Sequence, residues 1–274
     1  MMIYNKIYNK ILCAMKEVYY GGSDTLKLRY ARRRFNNRAL NTSPLVSIII
    51  ATYNRSEILI NRTLPSVLAQ TYTNIEVIIV GDNCIDDTPK LLNNYPDSRV
   101  HFYDLKKRGK YPKNPADRWF VQGAKPRNKA MNLANGDWFV FISDDDVMYP
   151  HHVQTLLSEV QNKGYEFISA AYETIKNGKK VVVNPTIFNG DPDFIIGGMQ
   201  TWLYRAYLSG FKWNIDAWRK TWNRPIDYDL QVRFFKAGVS MTHINSIVYL
   251  NPAVKGTQST GYVGYLESIE NNRR

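Results

Sequence analysis

Val46-Ser47-Ile48-Ile49-Ile50 and Ile75-Glu76-Val77-Ile78-Ile79-Val80 decide how this chain folds. Both runs are almost continuously apolar and β-branched, whereas a strand with one wet face alternates polar and apolar residues. They belong to strands covered on both sides. Working outward, the strands expected are Leu45 to Ala51, Ile75 to Val80, Val100 to Tyr103 and Trp138 to Ile142. Helical patterns separate them around Ile58 to Gln70, Thr88 to Asn93 and Arg127 to Ala134. This alternation predicts an α/β fold, a Rossmann-like, mostly parallel sheet flanked by helices. The second half reads as irregular, with a Gly pair and aromatics from Phe194 to Tyr207 and tryptophans from Lys212 to Asn223. Asp227 to Ala237 is again helical in pattern, and Gly238 is a good stop signal.

The chain has 274 residues, 36 Lys and Arg against 24 Asp and Glu, and a net charge of +12. Composition is ordinary for a folded protein, which excludes wholesale disorder, and the length excludes a disulfide mini-scaffold. The positive excess favours an anionic partner. Up to position 40 there are nine basic and two acidic residues, so seven of the twelve net charges sit in an N-terminal extension. The main body is only modestly basic, and no nucleic-acid groove is expected through it.

That extension carries Ile3, Ile7, Ile11, Met15 and Val18 at helical spacing, with Tyr4, Tyr8, Leu12 and Tyr19 beside them and Lys6, Lys10 and Lys16 opposite. Two readings stand equally: a helix docking on a membrane surface or partner, aided by Arg32, Arg33 and Arg34, or a helix packed on its own domain. Gly21 and Gly22 are expected to end it. The organisation expected is an extension at 1–42, a catalytic domain at 43–252 and a tail at 253–274. Cys13 and Cys84 make neither a disulfide framework nor a zinc spacing, and no apolar run is long enough to span a bilayer. The expected location is the cytoplasm, with peripheral membrane contact if the helix docks.

In an open parallel sheet, ligands bind beyond the carboxyl ends of the strands. Three polar clusters fall there: Ala51-Thr52-Tyr53-Asn54-Arg55, Gly81 to Thr88, and Ser143-Asp144-Asp145-Asp146. Three adjacent carboxylates repel one another, and a divalent cation is one way to relieve that cost; a solvated acidic turn is the other. Oxygen-only ligands select Mg²⁺ or Mn²⁺. Asp82 either accepts a hydrogen bond from a base or ribose or serves the turn, and Tyr53 either stacks on a base or is a loop aromatic. Neither GxGxxG after a strand nor GxxxxGK[ST] occurs.

The segments VSIIIATYNR, SVLAQTYTNIEVIIVGDNCIDDT and PRNKAMNLANGDWFVFISDDDVMYP, in this order and spacing, resemble the family 2 glycosyltransferases of the GT-A fold over about residues 45 to 252. The resemblance implies inverting transfer of a sugar from a nucleotide-diphosphate donor, expected to be a UDP-sugar, to a saccharide or other hydroxyl acceptor. It implies that Ala51, Thr52, Tyr53 and Arg55 line the nucleotide and that Asp82 faces a pyrimidine. It places Asp144 and Asp145 at ribose and metal, Asp145 as metal ligand with Asp146 at the same turn, and Arg127 toward the donor. Asp227 is the implied catalytic base. Gly81, Ser143 and Ile226 depart from the acidic residues usual at those positions. Trp202, Trp218 and Trp222 offer an acceptor platform or ordinary core, since aromatic faces suit both. The competing function is a non-catalytic protein whose basic N-terminal segment binds nucleic acid or anionic membrane.

Overall fold

The computed structural model describes residues 2–35, 42–188, 191–220, 225–253, 257 and 260–271. Strands β1 (Val46–Thr52), β2 (Ile75–Gly81), β3 (Val100–Asp104) and β4 (Trp138–Ser143) fall within a residue or so of the expected positions. They are followed by β5 (Val147–Met148), β6 (Phe167–Lys176), β7 (Lys179–Val183), β8 (Thr186–Phe188), β9 (Asp191–Ile196), β10 (Leu203–Arg205) and β11 (Met241–Asn251). The α-helices are α1 (Met2–Phe35), α2 (Ser56–Ile58), α3 (Leu64–Leu68), α4 (Thr88–Asn93), α5 (Pro115–Trp119), α6 (Ala124–Leu133), α7 (His152–Lys163), α8 (Ile226–Ala237) and α9 (Gly261–Asn271).

One sheet runs in the order β3-β2-β1-β4-β10-β6-β11-β5, with β7 on the other side of β6. The β3-β2-β1-β4 half is parallel; β10 enters antiparallel between β4 and β6. Alternate residues of the same strand feed two cores. Val46, Ile48, Ile50, Val77, Ile79, Val140 and Ile142 face α3 and α7, while Ile49, Ile78, Val80, Phe139 and Phe141 face α6 and α8. Burying each Val, Ile or Phe contributes about 1.5–3 kcal/mol, which accounts for the unbroken apolar runs. A smaller sheet pairs β8 with β9.

The structure corrects two expectations. Residues 199–219 do contain short 3₁₀ turns, but the second half also supplies two of the longest strands, β6 and β11. Both mix polar with apolar residues, and β11 carries register shifts after Ile244 and Ile247, so neither shows a clean period in sequence. Helix α1 does not stop at Gly21-Gly22 but runs on to Phe35. Glycine in a helix costs about 0.5–1 kcal/mol each. Tertiary ties on both sides offset it: Lys16 with Asp216, Arg233 Nε to Asp24 at 2.7 Å and Arg32 Nη2 to Glu166 at 2.5 Å. Among the described residues no helix is long and apolar enough to cross a membrane.

Candidate active site

The carboxyl ends of β1, β2 and β4 lie side by side because Thr52 pairs with Gly81 and Ala51 with Ser143. The three polar clusters therefore share one rim. Thr52 Oγ1 donates to Asp144 Oδ2 at 2.7 Å, and the Asp82 amide donates to the Thr52 carbonyl at 2.9 Å. Asn54, held at φ 53°, accepts from the Ile85 amide at 2.8 Å and ties the first loop to the second.

Asp82 is 3% exposed. Its Oδ1 accepts the Gly109 amide at 2.9 Å, and Arg108 Nε stands 4.0 Å from Oδ2. The Arg108 guanidinium lies 3.5 Å over the centre of the Tyr53 ring. Tyr53 and Asp82 thus form one slot, and the loop between β3 and α5 folds over it. Tyr111 in that loop lies beside Asp82, and burial followed by the carboxylate's charge pushes its hydroxyl upward. Sequence reasoning passed over this loop. Its signal was the basic run Lys106, Lys107, Arg108, Lys110 and Lys113.

Gly81 has a structural cause. A Cβ there would lie 2.3 Å from Asp104 Oδ1, which accepts the Asn83 and Cys84 amides at 3.0 and 3.2 Å. Asp104 thus occupies the space that an acidic side chain at position 81 would enter.

The acidic turn is tightly anchored. Asp144 and Asp146 are buried and Asp145 is half-buried. Arg55 pairs with Asp145, its Nη1 lies 3.6 Å from Asp144 Oδ1, and Arg62 donates to the Asp145 carbonyl at 2.6 Å. Burial raises the Asp144 carboxyl, partly offset by Arg55; burial and the Asp145 charge push Asp146 well above the usual carboxylate range. Asp144, and after it Asp145, hold Arg55 more firmly protonated against the opposing effect of burial. Among the described residues no three acidic, His or Cys side chains converge on one point. At most two protein carboxylates would then meet a cation, the arrangement Mg²⁺ commonly uses when substrate phosphates complete its shell. Asp146 Oδ2 is buried without a hydrogen-bond partner, so the donor set fits a hard divalent ion.

Asp227 opens α8, where its Oδ1 accepts the Tyr228 amide at 3.0 Å. Burial raises its carboxyl above the ordinary value, with Arg127 pulling the other way. Arg127, on α6, is half-buried and feels the charges of Asp227, Tyr111 and Asp144. Tyr172 and Tyr249 lie within reach of both Asp146 and Asp227. Asp82 and Asp144 thus share the strand rim, and Arg127 is near enough to Asp144 and Asp227 to feel both charges.

The tryptophans divide. Trp202 is fully buried, donates Nε1 to the Gly197 carbonyl at 3.0 Å and stacks 5.9 Å from Trp213. It is core, and the acceptor role expected for it is corrected: no face remains for a sugar. Trp218 is half-buried under the Arg219 guanidinium at 4.3 Å. Trp222 lies outside the described residues.

A family model described as glycosyl transferase family 2 matches residues 47–218. An Escherichia coli protein named UDP-Glc:alpha-D-GlcNAc-diphosphoundecaprenol beta-1,3-glucosyltransferase WfaP is 32% identical over 57% of this chain and 55% of its own length. Escherichia coli chondroitin synthase is 27% identical over 80% of this chain, which corresponds to 30% of that protein. The chain thus spans about half or less of these relatives. Among solved structures, Staphylococcus aureus TarS 1-349 in complex with UDP-GlcNAc aligns with a TM-score of 0.60 at 17% identity, over 78% of this chain and 60% of that one. The mannosyltransferase PcManGT from Pyrobaculum calidifontis, in complex with GDP-Man and Mn²⁺, aligns at 0.53 and 15% identity over 93% of this chain and 70% of that one. At such identities the likeness is one of fold.

Proposed function

The chain belongs to the glycosyl transferase family 2 and is a glycosyltransferase, and from that premise we propose metal-dependent, inverting transfer of a sugar from a UDP-sugar to a saccharide or other hydroxyl acceptor. The observation that supports this reading is the common rim of β1, β2 and β4, which sets Asp82 beside Asp144, with Arg127 close enough to feel the charges of both Asp144 and the helix-borne Asp227. Tyr53 stacks on the base and Asp82 accepts from its ring N–H, exchanging the contacts now made by Arg108 and Gly109. Ala51 and Thr52 line the nucleotide, and Asp144 faces the ribose. Asp145 and Asp146 would hold Mn²⁺ or Mg²⁺, which when bound supplies Lewis-acid stabilisation of the charge on the leaving diphosphate. Arg55, now paired with Asp144 and Asp145, is the cation that donor and metal must rearrange. Arg127 adds positive charge on the donor side.

Asp227 takes the proton of the acceptor hydroxyl as that oxygen attacks the anomeric carbon from the face opposite the diphosphate. A single displacement inverts the centre. A carboxyl raised by burial is a better base than an exposed one, and such groups contribute about 10²- to 10⁴-fold.

Thermal shift against UDP, GDP and TDP, each with and without Mn²⁺, followed by nucleotide release from sugar donors, tests the reading. UDP with Mn²⁺ should give the largest shift. Asp227→Asn should keep that shift and lose transfer; retained turnover would remove Asp227 from its role. Pyrophosphate release from a nucleoside triphosphate would replace glycosyl transfer by nucleotidyl transfer.

A further inference from the structure

Helix α1 has two faces, and only one is used by the fold. On the inner face Asp24 and Leu28 are 2% and 1% exposed, Tyr20 lies 4.0 Å under the Arg233 guanidinium, and Phe35 packs 4.9 Å from Tyr207. The outer face carries Ile7, Tyr8, Ile11, Met15, Val18, Tyr19, Leu26 and Tyr30, between 53% and 79% exposed. At 1.5 Å per residue this stripe extends along a helix of about 50 Å.

We propose that this outer face is a docking surface for a bilayer rich in anionic lipid. Its spacing is the first argument. Ile7 and Val18, Tyr8, Tyr19 and Tyr30, Ile11 and Arg33, and Met15 and Leu26 recur at multiples of eleven residues. At 3.6 residues per turn these positions fall on one continuous outer face of the helix, as an interfacial helix requires. Charge is the second argument. Lys10, Arg29, Arg33 and Arg34 stand exposed on α1, while its two acids turn inward: Glu17 lies 3.3 Å from Lys220 and Asp24 is buried on Arg233. A second copy of the chain would bring the same cations and no exposed acid from this helix. Anionic lipid neutralises them. Three tyrosines along the stripe suit the headgroup level, where an apolar ring and a polar tip are both satisfied. With the inner face held by the domain, the helix would lie in the interface plane without inserting across it.

Flotation of the full chain with vesicles tests the proposal, which does not depend on the donor or the catalytic base. Vesicles of phosphatidylcholine with 30% phosphatidylglycerol should bind the protein at least tenfold more strongly than phosphatidylcholine alone. Met15→Asp with Val18→Asp should lower that partition at least tenfold. Arg29→Glu with Arg33→Glu should lower it similarly, and more at low salt than at high salt. Because all four side chains point outward, circular dichroism and the thermal midpoint should stay at the parent values, separating lost docking from lost folding. Equal partition of parent and variants, or no parent binding to the anionic vesicles, would overturn the proposal. So would a parent dimer in sedimentation equilibrium that Met15→Asp with Val18→Asp disperses, because a second copy would then cover the face.

Discussion

Replacing Asp24 by alanine tests whether the N-terminal helix is part of the folded domain. Asp24 and Arg233 are 2% and 8% exposed at their side chains, and Arg233 Nε donates to Asp24 Oδ2 at 2.7 Å. Removing one member of a buried pair typically costs about 3–5 kcal/mol because the other charge is left in low dielectric. Here Arg233 keeps the Lys212 carbonyl at 2.7 Å, Asp229 at 3.6 Å and the Tyr20 ring, which places the cost near the lower end, about 3 kcal/mol. For a chain of this size each kcal/mol moves the midpoint by roughly 2 °C, so Tm should fall by about 6 °C. Urea unfolding followed by tryptophan fluorescence gives the free energy directly. Arg233→Met in the same background completes a double-mutant cycle, whose coupling should reach about 2 kcal/mol. A loss under about 1 kcal/mol for Asp24→Ala, with additive single effects, is the behaviour of an exposed ion pair and would refute the integral role of α1.

Transfer should fall as pH drops through a carboxyl value above the ordinary Asp range, since Asp227 must be ionised to act and burial raises it; a rate independent of pH between 4 and 7 would contradict this. Trp202→Ala should cost about 3–5 kcal/mol of stability, as a buried aromatic does; unchanged stability with a raised acceptor KM would restore the platform reading. His152 is fully buried, donates Nδ1 to the Val248 carbonyl at 3.1 Å, and burial lowers its value to about 3. Unfolding lets it return to about 6.5, so the unfolded state binds the extra proton and stability should drain away as pH falls from 6.5 toward 3, by up to about 5 kcal/mol. His152→Leu should remove that part of the slope in urea titrations at successive pH values.

Strands β1, β2 and β4 were legible because strands buried on both faces leave an unbroken apolar run, whereas β3, at the sheet edge, is only half-buried and shows a short alternating pattern. So were the Asp144 turn and Asp82, since the ends of adjacent parallel strands must meet at one rim. What escaped depends on tertiary placement. The Gly109 contact to Asp82 uses a backbone amide, which no side-chain pattern announces. Trp202 looks identical in sequence whether it faces a sugar or Phe167 and Trp213. The continuation of α1 through two glycines is decided by contacts more than 130 residues away, such as Arg32 to Glu166.

These contacts connect the N-terminal helix with the proposed reaction. Asp227 occupies the first turn of α8, while Asp229 and Arg233 lie on the back of the same helix. Lys220 Nζ donates to Asp229 at 2.5 Å and also faces Glu17 of α1; Arg233 is gripped by Asp24 of α1. The helix that presents the proposed base is therefore held from behind by the basic segment that sequence reading had set apart as an extension. Lys16, Lys27 and Arg32 turn to acidic partners, while Lys10, Arg29, Arg33 and Arg34 stay exposed on the outer side of the same helix. A general base displaced by about 1 Å can lose around a hundredfold in rate. Lesions in α1 should consequently appear in turnover before they appear in donor binding, because the Tyr53 and Asp82 slot is built on β1 and β2, away from α8.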